Sequence, residues 1–594
     1  MSFFLGVINL QDPASPRHRL NRTLKNIPFR QPEESALSTN TAYASFYLKR
    51  GGGSGNPSSL SAIICAAEPS ISTCSGILGL SSKTDTLDSQ TISSRYLENL
   101  YRLHDDKFPC NLGSEHAAFI WDPERKKLLL STDRYGTQPI YYAYFDHSLI
   151  FSNEIAPLYF VPGLSTDLDE EPIADFLLFG KHKQLSAGRT PFKKIATLPP
   201  AGLLSFDASG LHLSTYWQFP TAPSAPTRPR SHAETLDNFT TLLSKAIRNR
   251  ISGKRVLLAL SGGVDSTTVA SQIQRSGVYS PRSIRAFTVA PSRQNEEFKM
   301  ANLAAQHLGI SHELFVDRDY SLLDDFPPLL FPTENPFPQK HCDLANFTAG
   351  RADIVLTGGA ADNLLMPSRV TLLRELRFAG FRQALRTCLH HRQHFKRRIA
   401  IGIRRQKTRN PRTITYPPWL NRSFERESSA QDRWERFWND GFESRLHPRH
   451  PAIHEAMAYA VWNRDLGHAN CFAPKVSRAD PFFDIQLLHF ILSLPSIPWF
   501  INKFIMRTLA EKHLPRAIVE RKKTPGYDAF SASIKAVGEK RLNSWKPHKL
   551  LPEFIEMKKI EPIRMNSTPL NRYVNYRVIA FNRWLHNLDR LKEL

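Results

Sequence analysis

Residues 261–266, Ser-Gly-Gly-Val-Asp-Ser, form the segment of the sequence best suited to chemistry. They follow the apolar run VLLAL at 256–260 directly and lead into the helix-forming run STTVASQIQ. Paired glycines let backbone N–H groups turn toward an anion, and a helix start adds the positive end of its dipole. The loop is therefore predicted to bind phosphate groups, with the hydroxyls of Ser261 and Ser266 as further donors and Asp265 as a magnesium ligand. It lacks the GxxxxGK[ST] pattern, which argues against an NTPase that transfers the γ-phosphate.

Two more apolar runs, IRAFTVA at 284–290 and DIVLTG at 353–358, have the character of buried parallel strands. Helical patterns such as KMANLAAQHLG alternate with these runs. The alternation predicts a doubly wound α/β domain, in which the 261–266 loop joins a strand to a helix. From about residue 365 onward the pattern is mostly helical.

The first part of the chain is rich in short β-like runs separated by charged or glycine-containing turns, which predicts a mainly antiparallel sheet. These runs are HAAFIWD at 116–122, KLLLSTD at 127–133, PIYYAYF at 139–145 and SLIFSNE at 148–154. Residues 219–232 (FPTAPSAPTRPRSH) are proline-rich and lack apolar periodicity, so they are predicted to be a linker. The chain is thus expected to have one domain over 1–218 and a second over 233–594, α/β overall.

The composition is that of a folded protein with a strong positive charge. Hydrophobic residues make up 41% of the 594 positions, and 78 Lys and Arg against 55 Asp and Glu give a net charge of +23. Six scattered cysteines without a CxxC pair indicate a reducing compartment. With no secretory signal pattern and no run of 18 apolar residues, a cytoplasmic location and no transmembrane segment are expected.

In this context SGGVDS resembles the pyrophosphate loop of the asparagine synthetase superfamily, whose members split ATP into AMP and pyrophosphate. Residues 357–363 (TGGAADN) resemble the second nucleotide and metal loop of that family. The resemblance makes ATP and Mg²⁺ the expected cofactors and Asp362 the second magnesium ligand, whereas Asn363 stands where Glu is more usual. The segment from Glu296 to Ala301, followed by His312, resembles the region after the family's second strand. The positions that the resemblance assigns to the nucleotide are Ser261, Gly262, Gly263, Asp265, Ser266, Val289, Thr357 and Gly358.

Near the C-terminus, Leu514-Pro515 followed by VERKKT at 519–524 resembles a family segment with the pattern LP, then R-x-K. Its lysine maps onto Lys523, with the neighbouring Lys522 as the alternative. A cation there would stabilise negative charge that accumulates beside the pyrophosphate during both chemical steps. The resemblance therefore implies Lys523, Asp265 and Asp362 as the catalytic set.

The N-terminal half resembles the glutaminase domain of the same family, through DRYG at 133–136, PIYY at 139–142 and FSNE at 151–154. This implies an α+β sandwich of the N-terminal-nucleophile (Ntn) type. Glutaminases of this class need a cysteine exposed after Met1, and here the second residue is Ser2. A serine can serve in other N-terminal-nucleophile hydrolases, but the glutamine-binding Arg and Asn-Gly motifs of the family are also unrecognisable between residues 30 and 100. The domain is therefore interpreted as a glutaminase-like fold without its nucleophile, serving as a structural part or a peptide-docking surface.

Without an internal ammonia source, the amine must be free ammonia or belong to the substrate. Residues 416–420 (YPPWL), 494–499 and 503–507 look most like the lasso peptide cyclases of the superfamily. That likeness implies that an Asp or Glu side chain of a precursor peptide is adenylated and attacked by the peptide's own N-terminal amine. A β-lactam synthetase is disfavoured because Ser477 replaces an acidic residue at the start of residues 477–484 (SRADPFFD). Within that segment, Arg478 and Asp480 are expected to bind or orient substrate, or to pair with each other.

The partners that this reading implies are a ribosomally made precursor peptide, a leader-peptide protease and a recognition element. The first alternative is an ammonia-dependent asparagine synthetase or a β-lactam synthetase-like enzyme, and the further alternative is a non-catalytic scaffold. Histidines in CLHHRQH at 388–394 lie in a basic stretch that opposes metal binding. The basic run at 396–412 could attract an acidic peptide or a membrane surface, but no zinc finger or RNA-binding aromatic motif accompanies it, so no nucleic acid is expected.

Overall fold

The computed structural model describes residues 3–12, 15–27, 37–41, 44–49, 61–65, 74–78, 89–112, 115–180, 188–218, 231–275, 284–317, 320, 329–365, 381, 385, 389, 416–439, 476–521, 530, 534–535, 537–565 and 569–593. The described strands are β1 (Phe3–Ile8), β2 (Leu37–Thr41), β3 (Ala44–Lys49), β4 (Ser61–Cys65), β5 (Cys74–Leu78), β6 (Ala117–Asp122), β7 (Lys127–Thr132), β8 (Tyr141–Phe145), β9 (Ser148–Ser152), β10 (Ala196–Thr197), β11 (Gly202–Asp207), β12 (Gly210–Thr215), β13 (Val256–Ala259), β14 (Arg285–Ala290), β15 (Ser311–Val316), β16 (Ile354–Leu356) and β17 (Ser477–Ala479).

The described α-helices are α1 (Ser15–Lys25), α2 (Ser89–His104), α3 (Ala156–Tyr159), α4 (Glu170–Phe179), α5 (His232–Ile251), α6 (Val264–Arg275), α7 (Glu296–His307), α8 (Pro338–Thr348), α9 (Ala361–Leu364), α10 (Arg422–Glu427), α11 (Ala430–Asn439), α12 (Ile485–Ser493), α13 (Phe504–Glu511), α14 (Arg516–Val519), α15 (Glu539–Leu542), α16 (Leu551–Phe554) and α17 (Pro569–Glu593). Short 3₁₀-helices cover Asp105–Asn111, Pro481–Phe483, Ile501–Lys503 and Met557–Lys559. Among the described residues, no helix is both long enough and apolar enough to cross a membrane.

The N-terminal half contains two six-stranded antiparallel sheets, in the orders β10-β8-β9-β1-β3-β2 and β12-β11-β7-β6-β5-β4. Alternation along β6 explains how they stack. Phe119 and Trp121 lie in a core shared with Phe4 and Phe151 of the other sheet, while Ile120 faces the core beneath α2. The predicted α+β sandwich is confirmed, with two antiparallel sheets where the sequence patterns suggested a mainly antiparallel one.

The second half is built on a parallel sheet in the order β15-β14-β13-β16-β17. The three apolar runs of the sequence are β13, β14 and β16, and β15 and β17 extend the sheet at its edges. Helices α5 and α6 pack on one face through buried apolar residues, and a smaller cluster around Phe287 covers the other. The predicted doubly wound α/β domain with a largely helical C-terminal part is thereby confirmed over the described residues.

The strand order fixes the place of the site before any side chain is considered. Along the sheet the chain runs outward from β13 through β14 to β15, then returns to the other side of β13 with β16. The loops that follow β13 and β16 therefore diverge at a topological switch point, where open α/β sheets bind ligands beyond the carboxyl ends of their strands. The two glycine-containing loops singled out by the sequence are these two loops.

Buried arginines join the two halves of the chain. The Arg250 guanidinium of α5 donates to Glu115 at 2.8 Å and faces Asp484 at 3.5 Å. Arg433 of α11 reaches Asp175 of α4 at 3.0 Å, where the Asp175 side chain is fully buried. Such ion pairs fix geometry more than they add net stability, because both charges give up water.

Only residues 231–232 of the predicted linker are described, and they are part of helix α5 or its cap. The helix begins at His232, one residue before the predicted boundary, because the Ser231 side chain caps it by accepting a hydrogen bond from the backbone N–H of Glu234 at 3.1 Å. The rest of the linker lies outside the described residues, so the domain division stays a prediction.

Candidate active site

The loop between β13 and α6 is tied closed by its own serines. The Ser266 hydroxyl accepts from the backbone N–H of Ser261 at 3.1 Å, and the two hydroxyls lie 3.1 Å apart. Gly262 has φ +67°, and a Cβ there would lie 2.6 Å from the backbone nitrogen of Ala301 in α7. Only glycine satisfies both conditions, since L side chains rarely adopt this φ and the space is filled by backbone. The tight loop leaves the N-terminus of α6 at the carboxyl edge of the sheet.

The loop after β16 packs against the start of α6 through a second glycine. A Cβ on Gly358 would lie 2.9 Å from the backbone nitrogen of Ser266, closer than real Cβ atoms come to such an atom. The Thr357 hydroxyl accepts from the backbone N–H of Gly359 at 2.9 Å and holds the turn. This close backbone approach brings Asp362, at the start of α9, to the same cleft as Asp265.

Asp265 and Asp362 contact the same cation, the Nζ of Lys503. Lys503 lies 238 positions after Asp265 in the sequence and reaches it from the turn that precedes α13. The Lys503 and Asp265 side chains are 13% and 18% exposed, whereas Asp362 is 39% exposed and forms the open side of the group. Two acidic side chains from the two switch-point loops are therefore held around one point.

The backbone of Lys503 is unusual. Lys503 and the preceding Asn502 both have left-handed conformations, with φ of 54° and 51°, which non-glycine residues adopt at a cost. The Arg507 guanidinium donates to the carbonyl oxygen of Asn502 at 2.8 Å, and the Lys503 N–H donates to the Phe500 carbonyl at 3.1 Å. The turn is thus fixed by its neighbours and aims Lys503 at the two carboxylates.

The donor set fits a magnesium ion. Mg²⁺ favours carboxylate oxygens, and in nucleotide sites it is commonly held by one or two carboxylates together with phosphates. Asp265 and Asp362 supply such oxygens and converge on one positive charge in this structure. Among the described residues no cluster of three or more His, Cys, Asp or Glu side chains could hold a metal, so any ion bound here would need ligands from the nucleotide or water as well.

A C-terminal segment approaches the glycine loop from above the sheet edge. The Arg521 guanidinium donates to the carbonyl oxygen of Ser261 at 3.2 Å, and Arg507 donates to the carbonyl of Arg521 at 3.0 Å. Lys523 and Lys522 follow at once in the sequence but lie outside the described residues. The role given to Lys523 therefore stays a prediction.

At the end of β17, Arg478 and Asp480 pair with each other, which was one of the two expectations from the sequence. Arg478 Nε lies 3.2 Å from Asp480 Oδ2, and its Nη2 donates to the Thr357 hydroxyl at 3.2 Å. Thr357 in turn donates to Asp480. The network links a predicted nucleotide position, Thr357, to a guanidinium that is 39% exposed and could bind a substrate carboxylate.

Val289 lies near the carboxyl end of β14, the neighbour of β13, and its side chain is half-buried against the Phe287 cluster. The preceding Thr288 donates to the carbonyl oxygen of Leu260 and lies 2.8 Å from His312 Nε2. Burial and the charge of Arg293 lower the pKa of His312 to about 4, so the imidazole is neutral at neutral pH. His312 therefore supports the strand end just ahead of the Ser261 loop.

Sequence reasoning missed the role of Lys503. The sequence singles out residues 503–507 only as a likeness, and no local pattern indicates that Lys503 contacts the two carboxylates. Other predictions cannot be placed, because Ser2, Cys388 and the stretches 390–394 and 396–412 lie outside the described residues, as does the Ser477 side chain.

Taken together, the sheet order, the anion-binding loop and the paired carboxylates define a doubly wound α/β domain with its site at the switch point. Family comparison agrees with this class. The asparagine synthase family model matches residues 238–561, and a glutamine amidotransferase domain model matches residues 95–217. The chain belongs to the asparagine synthase family.

Curated relatives are similar over parts of the chain. The asparagine synthetase [glutamine-hydrolyzing] 3 of Bacillus subtilis is 28% identical over 162 residues, which is 27% of this chain and 25% of that protein. Synthetase 2 of the same organism is 24% identical over 68% of this chain and 54% of its own length. Amidase chyE of Penicillium rubens is 25% identical over 40% of this chain and 37% of its own length. The chain thus spans about a quarter to a half of these relatives.

Proposed function

We propose that this protein is an ATP-dependent amide ligase that activates a carboxylate as its adenylate. The observation that carries the proposal is the meeting of Asp265 and Asp362 at one cation, beside a glycine loop at the switch point of the sheet. A loop of this kind favours phosphate binding through backbone N–H groups and the start of α6. The paired carboxylates favour a metal-bound polyphosphate, and family membership favours release of AMP and pyrophosphate.

The reaction has two steps. In the first, a substrate carboxylate oxygen bonds to the α-phosphorus of ATP while the bond to pyrophosphate breaks. In the second, an amine attacks the acyl carbon, AMP leaves with the former carboxylate oxygen, and the amine nitrogen loses a proton. Mg²⁺ held by Asp265 and Asp362 would neutralise charge on the phosphate oxygens. Both steps also build negative charge beside the pyrophosphate, where Lys503 and, by prediction, Lys523 supply positive charge.

The proposed substrate is a precursor peptide whose Asp or Glu side chain is adenylated and whose own N-terminal amine attacks, giving the macrolactam of a lasso peptide. The lack of recognisable glutamine-binding Arg and Asn-Gly motifs between residues 30 and 100 favours a substrate that carries its own amine over glutamine-derived ammonia. Holding both ends of one peptide makes ring closure unimolecular, so positioning supplies much of the acceleration. The proposed partners are a leader-peptide protease and a recognition element that deliver the peptide.

Interdomain contacts support a structural role for the N-terminal half. Arg433 pairs with Asp175, and Arg577 donates to the carbonyl oxygen of Leu178 at 2.7 Å, so C-terminal helices grip the glutaminase-like domain through buried groups. A domain held this way can brace a peptide-binding cleft without catalysing glutamine hydrolysis.

The second candidate is amidation of a small carboxylic acid with free ammonia. The names of two relatives favour amidation of a small acid, because both are asparagine synthetases, which form an amide on the aspartate side chain. A non-catalytic scaffold is the remaining alternative, motivated by Asn363 at a position where the family more often has Glu.

The deciding experiment incubates the purified protein and Mg-ATP with either a precursor peptide that has a free N-terminal amine and an Asp or Glu side chain, or L-aspartate plus ammonium. The proposal expects AMP and pyrophosphate release that depends on the peptide, together with a peptide product lighter by one water in mass spectrometry. Asparagine formation would instead assign the second candidate. Release of ADP and phosphate, or no nucleotide cleavage with either substrate, contradicts adenylation. Asp237→Asn, an exposed position on α5, serves as the unaffected control.

A further inference from the structure

We propose that Lys503 is a built-in placeholder cation, whose ammonium holds the position between Asp265 and Asp362 until a divalent metal enters. The inference rests on the proposed function only in taking these carboxylates as the metal ligands. It adds that metal entry is a competition with one side chain of the protein itself.

The first argument is electrostatic. Carboxylates gathered around one point repel each other, and partial burial weakens the screening by water. Lys503 Nζ contacts both carboxylates, and the Lys503 side chain is 13% exposed. A lysine ammonium is a compact point charge with three donors, so it can satisfy two carboxylates at once much as a metal ion would.

The second argument concerns which part of Lys503 can move. Its backbone is fixed, since the turn at Asn502 and Lys503 is held by Arg507 and the Ile505 N–H donates to the Trp499 carbonyl at 3.0 Å. The side chain, by contrast, is a flexible four-carbon stem. A metal can therefore displace the ammonium by rotation of this stem while the turn and α13 stay in place.

The third argument is that a metal and the ammonium cannot share the position. A divalent ion bound to both carboxylates would lie against Nζ, and like charges in contact are strongly unfavourable. The wild-type protein without nucleotide is thus expected to bind Mg²⁺ or Mn²⁺ weakly. Arrival of a polyphosphate supplies negative charge that Lys503 can face after it has been displaced.

The test measures Mn²⁺ binding in the absence of ATP and peptide. Binding is monitored as the loss of the free Mn²⁺ signal in electron paramagnetic resonance. Lys503→Met keeps an unbranched side chain one atom shorter and removes the charge, and we expect this variant to bind Mn²⁺ at least about tenfold more tightly than wild type. Adding Asp362→Asn to Lys503→Met should abolish the gain. Lys512→Met, an exposed lysine just after α13, is the matched control and should behave as wild type.

A second measurement needs no variant, so it stands even if Lys503→Met folds poorly. Acetylation of Lys503 by an amine-reactive reagent, followed by peptide mass spectrometry, should be slow in metal-free wild type and accelerate on adding Mn²⁺, with Lys512 unchanged. Equal Mn²⁺ affinity in wild type and Lys503→Met, or Lys503 labelling that ignores Mn²⁺, would overturn the proposal.

The placeholder role of Lys503 and the proposed ligase activity can fail independently of each other. Tighter Mn²⁺ binding by Lys503→Met in a protein that never forms AMP would leave the placeholder intact and remove the ligase. Adenylation that depends on Asp265, combined with no change in Mn²⁺ binding, would do the reverse.

Discussion

The guanidinium of Arg521 donates a hydrogen bond to the carbonyl oxygen of Ser261 across 260 positions of sequence, at 3.2 Å. This contact brings a C-terminal segment to the glycine loop and gives physical sense to the two lysines that follow Arg521. Of these two lysines, the family resemblance selects Lys523.

Changing Lys523 to Ala is expected to lower the rate of amide formation by about 10²–10³-fold, because a cation that stabilises charge developing in the transition state is removed. The matched control is Lys522→Ala, which should change the rate by less than about threefold, as expected of a solvated side chain. Single-turnover kinetics of AMP formation give both values. A larger loss in Lys522→Ala than in Lys523→Ala would show that the family pattern is aligned one residue out.

Gly262 in the Ser261 loop offers a test that separates the cost of backbone strain from the cost of overpacking. Gly262 and Gly350 both have positive φ, at +67° and +74°, but a Cβ would meet α7 backbone at Gly262 and nothing within 4 Å at Gly350. We expect Gly350→Ala to lower the free energy of unfolding by about 1–2 kcal/mol from strain alone. Gly262→Ala should lose roughly 2–5 kcal/mol, since overpacking is added. Urea denaturation measures both, and equal losses would mean that α7 yields freely at Gly262.

How far the sequence predicts this site depends on the range of the interactions. The Ser261 loop and Asp362 are predictable from the sequence, because local strand, glycine and helix signals place both at the carboxyl ends of parallel strands. The carboxyl ends of neighbouring parallel strands lie at the same edge of the sheet. The role of Lys503 is not predictable in this way. Its contact with Asp265 spans 238 positions of sequence and depends on a left-handed turn. From the sequence, Arg433 is likewise predicted to be an exposed charged residue. Its burial results from tertiary packing against Asp175.

Replacing Arg433 should accordingly lower the free energy of unfolding far more than replacing an exposed arginine. Arg433→Met removes the cation beside the fully buried Asp175 and is expected to destabilise the protein by about 3–5 kcal/mol. Adding Asp175→Asn should recover part of the loss, because the buried charge disappears with its partner. Arg516→Met, from a pair with Glu520 whose side chains are 87% and 62% exposed, is the control and should leave urea denaturation unchanged. A loss in Arg433→Met no greater than in this control would contradict the bracing of the N-terminal half.

His312 predicts a pH dependence of stability. Burial lowers its pKa from 6.5 in the unfolded chain to about 4 in the folded one, so the unfolded state binds more protons between these values. Stability present above pH 6.5 is therefore lost as pH falls toward 4. His312→Gln should flatten that part of the profile, measured as the free energy of urea unfolding, without abolishing it, because burial also lowers the pKa of His489 and His513. An unchanged slope would mean that the imidazole can take up its proton in the folded state.

The most direct measurement for the central claim is ATP–pyrophosphate exchange. The assay contains radiolabelled pyrophosphate, ATP and the carboxylate substrate that the protein is proposed to activate. Exchange requires that the protein form an adenylate reversibly. The proposed site binds the phosphates at the Ser261 loop and needs Asp265 and Asp362 together. We predict robust exchange in wild type, a fall of at least about 10²-fold in Asp265→Asn and in Asp362→Asn, and wild-type exchange in Asp237→Asn. Exchange that survives both carboxylate substitutions, or that never appears although ADP does, would contradict the account.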